Sequence, residues 1–440
     1  MTVNAGDTAW VLASAALVLF MVPGLALFYG GLVRAKNVVA TMAQSFAAMG
    51  LISIVWAVVG YTLAFGPDRG GVIGGLVHAL LSRVGAAPSS AAPTVPALAF
   101  MAFQMMFAVI TPALIAGAFA ERMHFRGYLT FIGLWSLLVY SPLAHWVWGG
   151  GFLGAGGLKA IDFAGGAVVH ESAGAAALAA ALYLGHRRSP DDRPHDIPLV
   201  MLGAGILWFG WFGFNAGSAL GANHVAASAL VNTQLGASAA MATWTAIEWA
   251  QRHKPSGIGM AAGAVAGLAA ITPASGFVPP WAALVIGAVA GALCYGAVQL
   301  KGRLRYDDTL DVVGVHMVGG FTGVVLTGVF ARLAVNAAGA AGGLVQLGRQ
   351  LGLATTALVY PFLATLVILW VTDKLVGLRV DAVEEASGLD VGEHDESGYE
   401  WPEQSIEAAT NEFLEAHQAV TAATDGPSRS AQPSTRSQAP

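Results

Sequence analysis

The chain has 440 residues, of which 56% are hydrophobic and only 11% are charged, against about 25% charged in an ordinary soluble domain. With a mean hydropathy of +0.64, this excludes a soluble globular protein, so lipid is the solvent for most of the chain. Residues 1–380 carry 19 Lys and Arg against 13 Asp and Glu, whereas residues 381–440 carry 2 against 13, so a mildly basic membrane body precedes an acidic tail, with no basic cluster of the kind that binds nucleic acid.

A membrane-crossing helix needs about 20 mostly apolar residues. Runs of that kind are predicted at 8–32, 40–65, 97–120, 127–147, 164–184, 197–217, 226–250, 257–273, 278–299, 312–331 and 353–375, eleven in all. The shortest, 257–273, is rich in Gly and Ala. The first run lacks the positive leader of a secretory signal, because no Lys or Arg precedes Arg34 and Asp7 lies near the start, so it is expected to be retained. Cys294, the single cysteine, lies within the ninth run and cannot form an internal disulfide.

With the N-terminus outside, inner connections hold 14 Lys and Arg and outer connections 5. The bias of basic residues toward the cytoplasm then places the C-terminus inside the cell. Gly and Ala dominate the runs, which suits helices held together by close backbone approach rather than by a hydrophobic drive. Trp208, Trp244 and Trp249 are expected to face lipid or a subunit interface.

The fifth and tenth runs begin alike. Asp162 stands eight residues before His170, Asp308 stands eight before His316, and small residues follow each histidine. Five spans separate the two motifs, an odd number, so two five-span halves would have opposite topology. Inverted repeats place a functional site near the midplane, where the halves meet. A lone histidine in an apolar helix is ordinarily a packing residue. Two at equivalent places are different, because ionisable groups are costly in lipid and line pathways or pair. His78, His124, His145, His186, His195, His224 and His253 lie near span ends or in loops and carry no such expectation. Asp162 and Asp308 are expected to cap helix starts, with Asp162 shaping a pore indirectly.

Several further stretches recur in order: Pro23–Asn37 (PGLALFYGGLVRAKN), Ala102–Thr111 (AFQMMFAVIT), Ala144–Gly151 (AHWVWGGG), Gly210–Ser218 (GWFGFNAGS), Ile271–Gly276 (ITPASG) and Asp307–His316. Together with the run from Asp162 to Arg187, they resemble the ammonium transporter family (Amt/Mep, related to Rh proteins) over about residues 8–398. The resemblance implies an all-α membrane protein of eleven transmembrane helices, built as two five-helix inverted repeats plus a long final helix. It implies a homotrimer in the cell membrane with one pore in each subunit. An outer ammonium site would comprise Phe107, Trp148 and Ser218. Phe107 and Phe214 would gate it, and His170, His316 and Trp211 would line the pore.

The chemistry is intelligible. Aromatic faces attract a small cation, and the Ser218 hydroxyl can accept an N–H bond. Carrying an unpaired charge across about 30 Å of hydrocarbon is prohibitive, so ammonium would shed its proton. Neutral ammonia would then pass between imidazoles that both donate and accept, and the same pair could relay the proton. Glu171 departs from the family pattern by following His170, but one residue is a rotation of about 100° and takes it off the pore face.

Residues 1–377 are thus expected to form the transporter domain and 378–399 a cytoplasmic regulatory segment of the kind that communicates with PII-class signalling proteins. Residues 400–440 form an acidic extension, amphipathic over 403–420 and then rich in Ser, Pro and Gln. An ammonium sensor on the same scaffold is the alternative function, and a haem protein ligated by His170 and His316 is a third. No nucleophile–base set or phosphate loop suggests an enzyme, and no cofactor or metal is expected.

Overall fold

The computed structural model describes residues 2–188, 193–399, 411 and 413–415. Its long helices are α1 (Ala5–Leu32), α2 (Ala35–Phe65), α3 (Ala97–Ala118), α4 (Phe125–Val147), α5 (Gly166–Leu184), α6 (Ile197–Gly217), α7 (His224–Arg252), α8 (Gly257–Ile271), α9 (Pro280–Leu304), α10 (Val313–Phe330) and α11 (Leu344–Val376). Two short helices, α12 (Ala382–Ser387) and α13 (Leu389–His394), follow. Two small hairpins, Asp68–Arg69 with Ile73–Gly74 and Pro88–Ser89 with Ala92–Pro96, cover the end of the bundle between α2 and α3.

Among the described residues, nine helices are long and apolar enough to cross a membrane. The other two runs depart in different ways. Helix α7 has 29 residues, but Asn232, Thr233, Gln234, Thr243, Thr245 and Glu248 make it polar. Helix α8 is apolar throughout but only 15 residues long.

Local chemistry sets the helix ends. The Asn4 side chain accepts the Asp7 N–H at 3.0 Å to open α1, and Asn223 accepts the N–H groups of Val225 and Ala226 to open α7. Lys301 and Arg303 occupy the last turn of α9, where positive charge complements the helix dipole.

Small residues let the bundle close. Helices α1 and α6 approach so nearly that a Cβ on Gly203 would stand 2.3 Å from the Phe28 nitrogen. Close backbone approach of this kind is what the small-residue packing of membrane helices provides.

Two expectations are corrected. Helix α11 begins at Leu344, nine residues before the predicted run. Its first turns are polar in sequence because Gln346 and Gln350 point inward and are fully enclosed. Gln350 accepts the Ile161 N–H at 2.8 Å and donates to the Ile161 carbonyl at 2.7 Å. Trp244 does not face outward. It is 4% exposed and packs edge-on against Tyr295 at a centroid distance of 5.4 Å, whereas Trp249 is exposed.

The segment after α11 lies against the bundle. The Leu378 carbonyl accepts the His124 N–H at 2.8 Å, and Val380 donates to the Arg122 carbonyl. Asp390 accepts the Ala40 N–H at 2.8 Å, and Asn37 accepts the Leu389 N–H at 2.8 Å. The amphipathic stretch expected over 403–420 falls almost wholly outside the described residues.

Candidate functional site

The sequences around both histidines wind as π-helical turns, Gly166–Glu171 and Val313–Met317. A π turn inserts an extra residue in the ladder and turns side chains to positions a regular helix cannot reach. Ahead of the first, the Asp162 carboxylate accepts four backbone N–H groups: Gly165 and Gly166 at 2.8 Å, Ala167 at 2.8 Å and Val168 at 3.1 Å. Gly165 has φ +110°, a conformation that glycine adopts without strain. Asp308 makes the related contact ahead of the second turn, accepting the Val313 N–H at 2.7 Å.

These turns bring His170 and His316 together. Their rings are nearly parallel, 17° apart, with centroids at 5.4 Å. Both nitrogens of His170 and Nδ1 of His316 are buried without a hydrogen-bond partner among the described residues. Trp211 lies 5.1 Å from His170, and its indole N–H is tied to Thr272 Oγ1 at 2.8 Å, which fixes the ring. The cavity between them measures about 10 Å³, close to the space one water-sized molecule needs. Apart from the histidines its walls are hydrocarbon and aromatic, including Leu25, Ile110 and Val265. A haem macrocycle has no room there.

Phe214 stands 5.7 Å from His170 and Phe107 stands 4.3 Å from Phe214. Beyond Phe107 opens a vestibule of about 280 Å³ that brings Phe107, Trp148 and Ser218 to one place. The Trp148 indole N–H donates to the Asp162 carbonyl at 2.9 Å, so the carboxylate that orders α5 belongs to the residue that also orients this ring. The Ser218 hydroxyl donates to the Phe214 carbonyl at 2.9 Å, which leaves its oxygen as an acceptor. Sequence reasoning missed Phe65, Phe100, Gln104 and Phe163, which also line the vestibule. Gln104 was detectable, since it lies three residues before Phe107 on the same helix face.

Glu171 is fully enclosed, and neither of its carboxyl oxygens has a hydrogen-bond partner among the described residues. It does not line the cavity between the histidines. At the opposite end of the bundle lies an ion network that the sequence did not reveal. Arg122 pairs with Asp307 at 2.7 Å, Arg187 with Asp307 at 3.0 Å, and Arg34 with Glu121 at 2.8 Å. Burial pushes the Asp307 carboxyl up, but the Arg187 hydrogen bonds and the Arg122 charge outweigh it and hold it down to about 2. Three of the histidines without an expected role take side-chain partners, His124 with Glu393, His145 with Asp68 and His195 with Tyr399, and His78 and His186 contact backbone carbonyls.

The sequence model of the Ammonium Transporter Family matches residues 9–399. The ammonium transporter of Bacillus subtilis (strain 168) is 47% identical over 401 residues, covering 90% of this chain and 98% of that one. The ammonium transporter of Aquifex aeolicus (strain VF5) is 48% identical over 403 residues, covering 90% and 94%. The crystal structure of Saccharomyces cerevisiae Mep2 superposes with a TM-score of 0.82 at 37% identity, covering 86% of this chain and 88% of that one. A multi-pass helical membrane protein with these motifs in this order, matched almost end to end, belongs to the ammonium transporter family.

Proposed function

We propose that the chain crosses the membrane eleven times, as two inverted five-helix halves and a final helix, and conducts ammonium nitrogen through the path just described. Helix α7 crosses despite its polar residues, because Asn232 and Thr233 are buried and hydrogen-bonded within the bundle. Helix α8 is completed by the buried turn that follows Ile271. Ammonium binds against Phe107, Trp148 and Ser218, where ring faces and one hydroxyl oxygen replace part of its water shell. Above the Phe107–Phe214 gate it gives its proton to solvent in the vestibule, from which the proton is free to follow a separate route. Neutral ammonia enters the narrow cavity, exchanges hydrogen bonds with His170 and His316 beside Trp211, and leaves on the far side. Asp162 acts indirectly, by ordering the first π turn.

The observation that carries this reading is the pair of imidazoles, three of whose nitrogens are buried with no hydrogen-bond partner among the described residues, facing a space for one small molecule. Buried polar groups are satisfied in folded proteins. In hydrocarbon surroundings a small molecule that donates and accepts is the natural complement. The same two rings can pass the shed proton separately, which would make transport electrogenic.

The distribution of basic residues supports an outside N-terminus and a cytoplasmic C-terminus in the cell membrane. The vestibule then opens outward. Residues 378–399 pack on the cytoplasmic face as a regulatory segment within a homotrimer and are placed to respond to a PII-class protein. Transport is favoured over sensing because the conduction path carries its gate and pore residues together. The test is purified protein in liposomes given an ammonium gradient. Ammonium-evoked translocation without a matching response to potassium is expected. Equal responses to both, or none to ammonium, would reject the reading.

A further inference from the structure

His145 is fully buried near the end of α4, three residues before Trp148. Its Nδ1 lies 2.8 Å from the Ala64 carbonyl oxygen and its Nε2 lies 2.9 Å from Asp68 Oδ1. A peptide carbonyl only accepts, and so does an ionised carboxylate. Both ring nitrogens must therefore donate, and the ring carries two protons. Asp68 is the anionic member. Its side chain is 43% exposed, it also accepts the Gly71 N–H at 2.9 Å, and the hydrogen bond from His145 holds its carboxyl below the usual range.

The two partners of His145 flank Phe65 in sequence. Ala64 directly precedes Phe65, and Phe65 and Trp148 both line the space that holds Phe107 and Ser218. The turn after Trp148 is anchored on the same residue, since Gly149 and Gly151 donate to the His145 carbonyl at 3.0 and 2.9 Å. The segments are in backbone contact, for a Cβ on Gly149 would stand 2.0 Å from the Ala64 oxygen. The other charged or titratable residues around this junction are Tyr61 on α2, Arg69 on the first hairpin, His78 and Arg83 in the segment between the hairpins, Tyr140 on α4, and His170 and Glu171 on α5. Asp68 makes the ion pair with His145.

We propose that His145 is a positioning residue for ammonium capture: protonated between Ala64 and Asp68, it holds the Phe65 and Trp148 walls of the vestibule at the separation that binds the cation, and loss of its proton loosens them. This rests on the reading of Phe107, Trp148 and Ser218 as the outer ammonium site.

The test is the half-saturation of ammonium-evoked current in proteoliposomes from about pH 5 to pH 8, expressed as ammonium at each pH. Wild type should show half-saturation rising with pH. His145→Ala should raise it about tenfold at the acid end, the scale of one lost buried hydrogen bond. Asp68→Asn is the discriminating variant. Its amide can donate to Nε2 of a neutral imidazole while Nδ1 still donates to Ala64, so both bonds survive without the extra proton and the pH dependence should flatten. An Asp68→Asn profile that tracks wild type, or His145→Ala with wild-type half-saturation throughout, overturns the proposal. If His145→Ala does not assemble, Asp68→Asn decides alone. Trp148→Leu separates the layers: raised half-saturation there with none in His145→Ala overturns only the clamp, and unchanged half-saturation in Trp148→Leu overturns the outer site and the clamp together.

Discussion

Gly174 and Gly320 hold reciprocal places at the crossing of α5 and α10. Each lies four residues after its histidine. A Cβ on Gly174 would stand 2.3 Å from the nitrogen of Met317, the residue after His316, and one on Gly320 would stand 2.8 Å from the nitrogen of Glu171, the residue after His170. Backbone meets backbone in both directions, and this exchange sets the separation of the imidazoles. It also explains why Glu171 stays out of the cavity between the histidines: position 171 is spent on the helix crossing, as Met317 is on the facing helix.

Enlarging either glycine should therefore act on the histidines from a distance. Gly174→Val has no flexible neighbour to displace, only the α10 backbone, and overpacking of this kind costs about 1–3 kcal/mol or more. Ammonium-evoked current in Gly174→Val, normalised to folded protein, should fall at least tenfold. Full current would show that the crossing does not control the pair.

At the outer site, Trp148→Leu removes a cation-attracting ring face, worth about 0.5–2 kcal/mol. Half-saturation for ammonium should rise several-fold, and discrimination against potassium at the mouth should relax. Ser218→Ala removes the one hydroxyl acceptor and should have a similar effect on half-saturation alone. Competition between ammonium and potassium in the same liposomes measures both, and unchanged values in both variants would remove these residues from the site.

The Asp307 network gives stability with a definite pH sign. Its folded carboxyl titrates at about 2 against an ordinary 3.8. A depressed carboxylate contributes stability above its unfolded value and loses it as pH falls through the folded value. Thermal unfolding in detergent should therefore show Tm falling as pH drops from about 4 toward 2. Asp307→Asn breaks a buried pair, at a cost of roughly 3–5 kcal/mol, and should lower Tm at neutral pH and flatten that acid dependence. A neutral-pH Tm equal to wild type would mean that Asp307 is not structural.

Truncation separates the two parts of the C-terminal region. Ending the chain after Tyr399 keeps the contacts of Asp390, Leu389 and Val380 with the bundle, and transport and trimer assembly should persist. Ending it after Leu375 strips the partners of Ala40, Asn37 and His124, and activity or its regulation should suffer. Equal transport and equal assembly in both would deny the segment any role.

Much of what the structure brings together was legible in the sequence. His170 and His316 were conspicuous as ionisable residues repeated in apolar runs, and Phe107, Trp148, Trp211, Phe214 and Ser218 entered through motifs that resemble the ammonium transporter family. What could not be read was pairing across the chain. Gln346 and Gln350 fall outside the predicted run 353–375 because the partners that let them be buried, around Ile161, are nearly two hundred residues away. Trp244 was assigned outward because composition cannot tell a buried aromatic from a lipid-facing one. The π turns left no mark either, since the extra residue that opens the ladder is set by tertiary packing. His145 shows the same limit: its significance lies in Ala64 and Asp68, and nothing local announces them.

The most direct measurement is ammonium-evoked current from the His170→Ala, His316→Ala double variant, reconstituted beside wild type at equal protein density. If the paired imidazoles receive ammonia and relay its proton, the double variant should assemble normally, because small-residue packing holds the bundle, yet its ammonium-specific current should be abolished. A folded double variant that carries full ammonium-specific current, still excluding potassium, would contradict the account and return both histidines to packing.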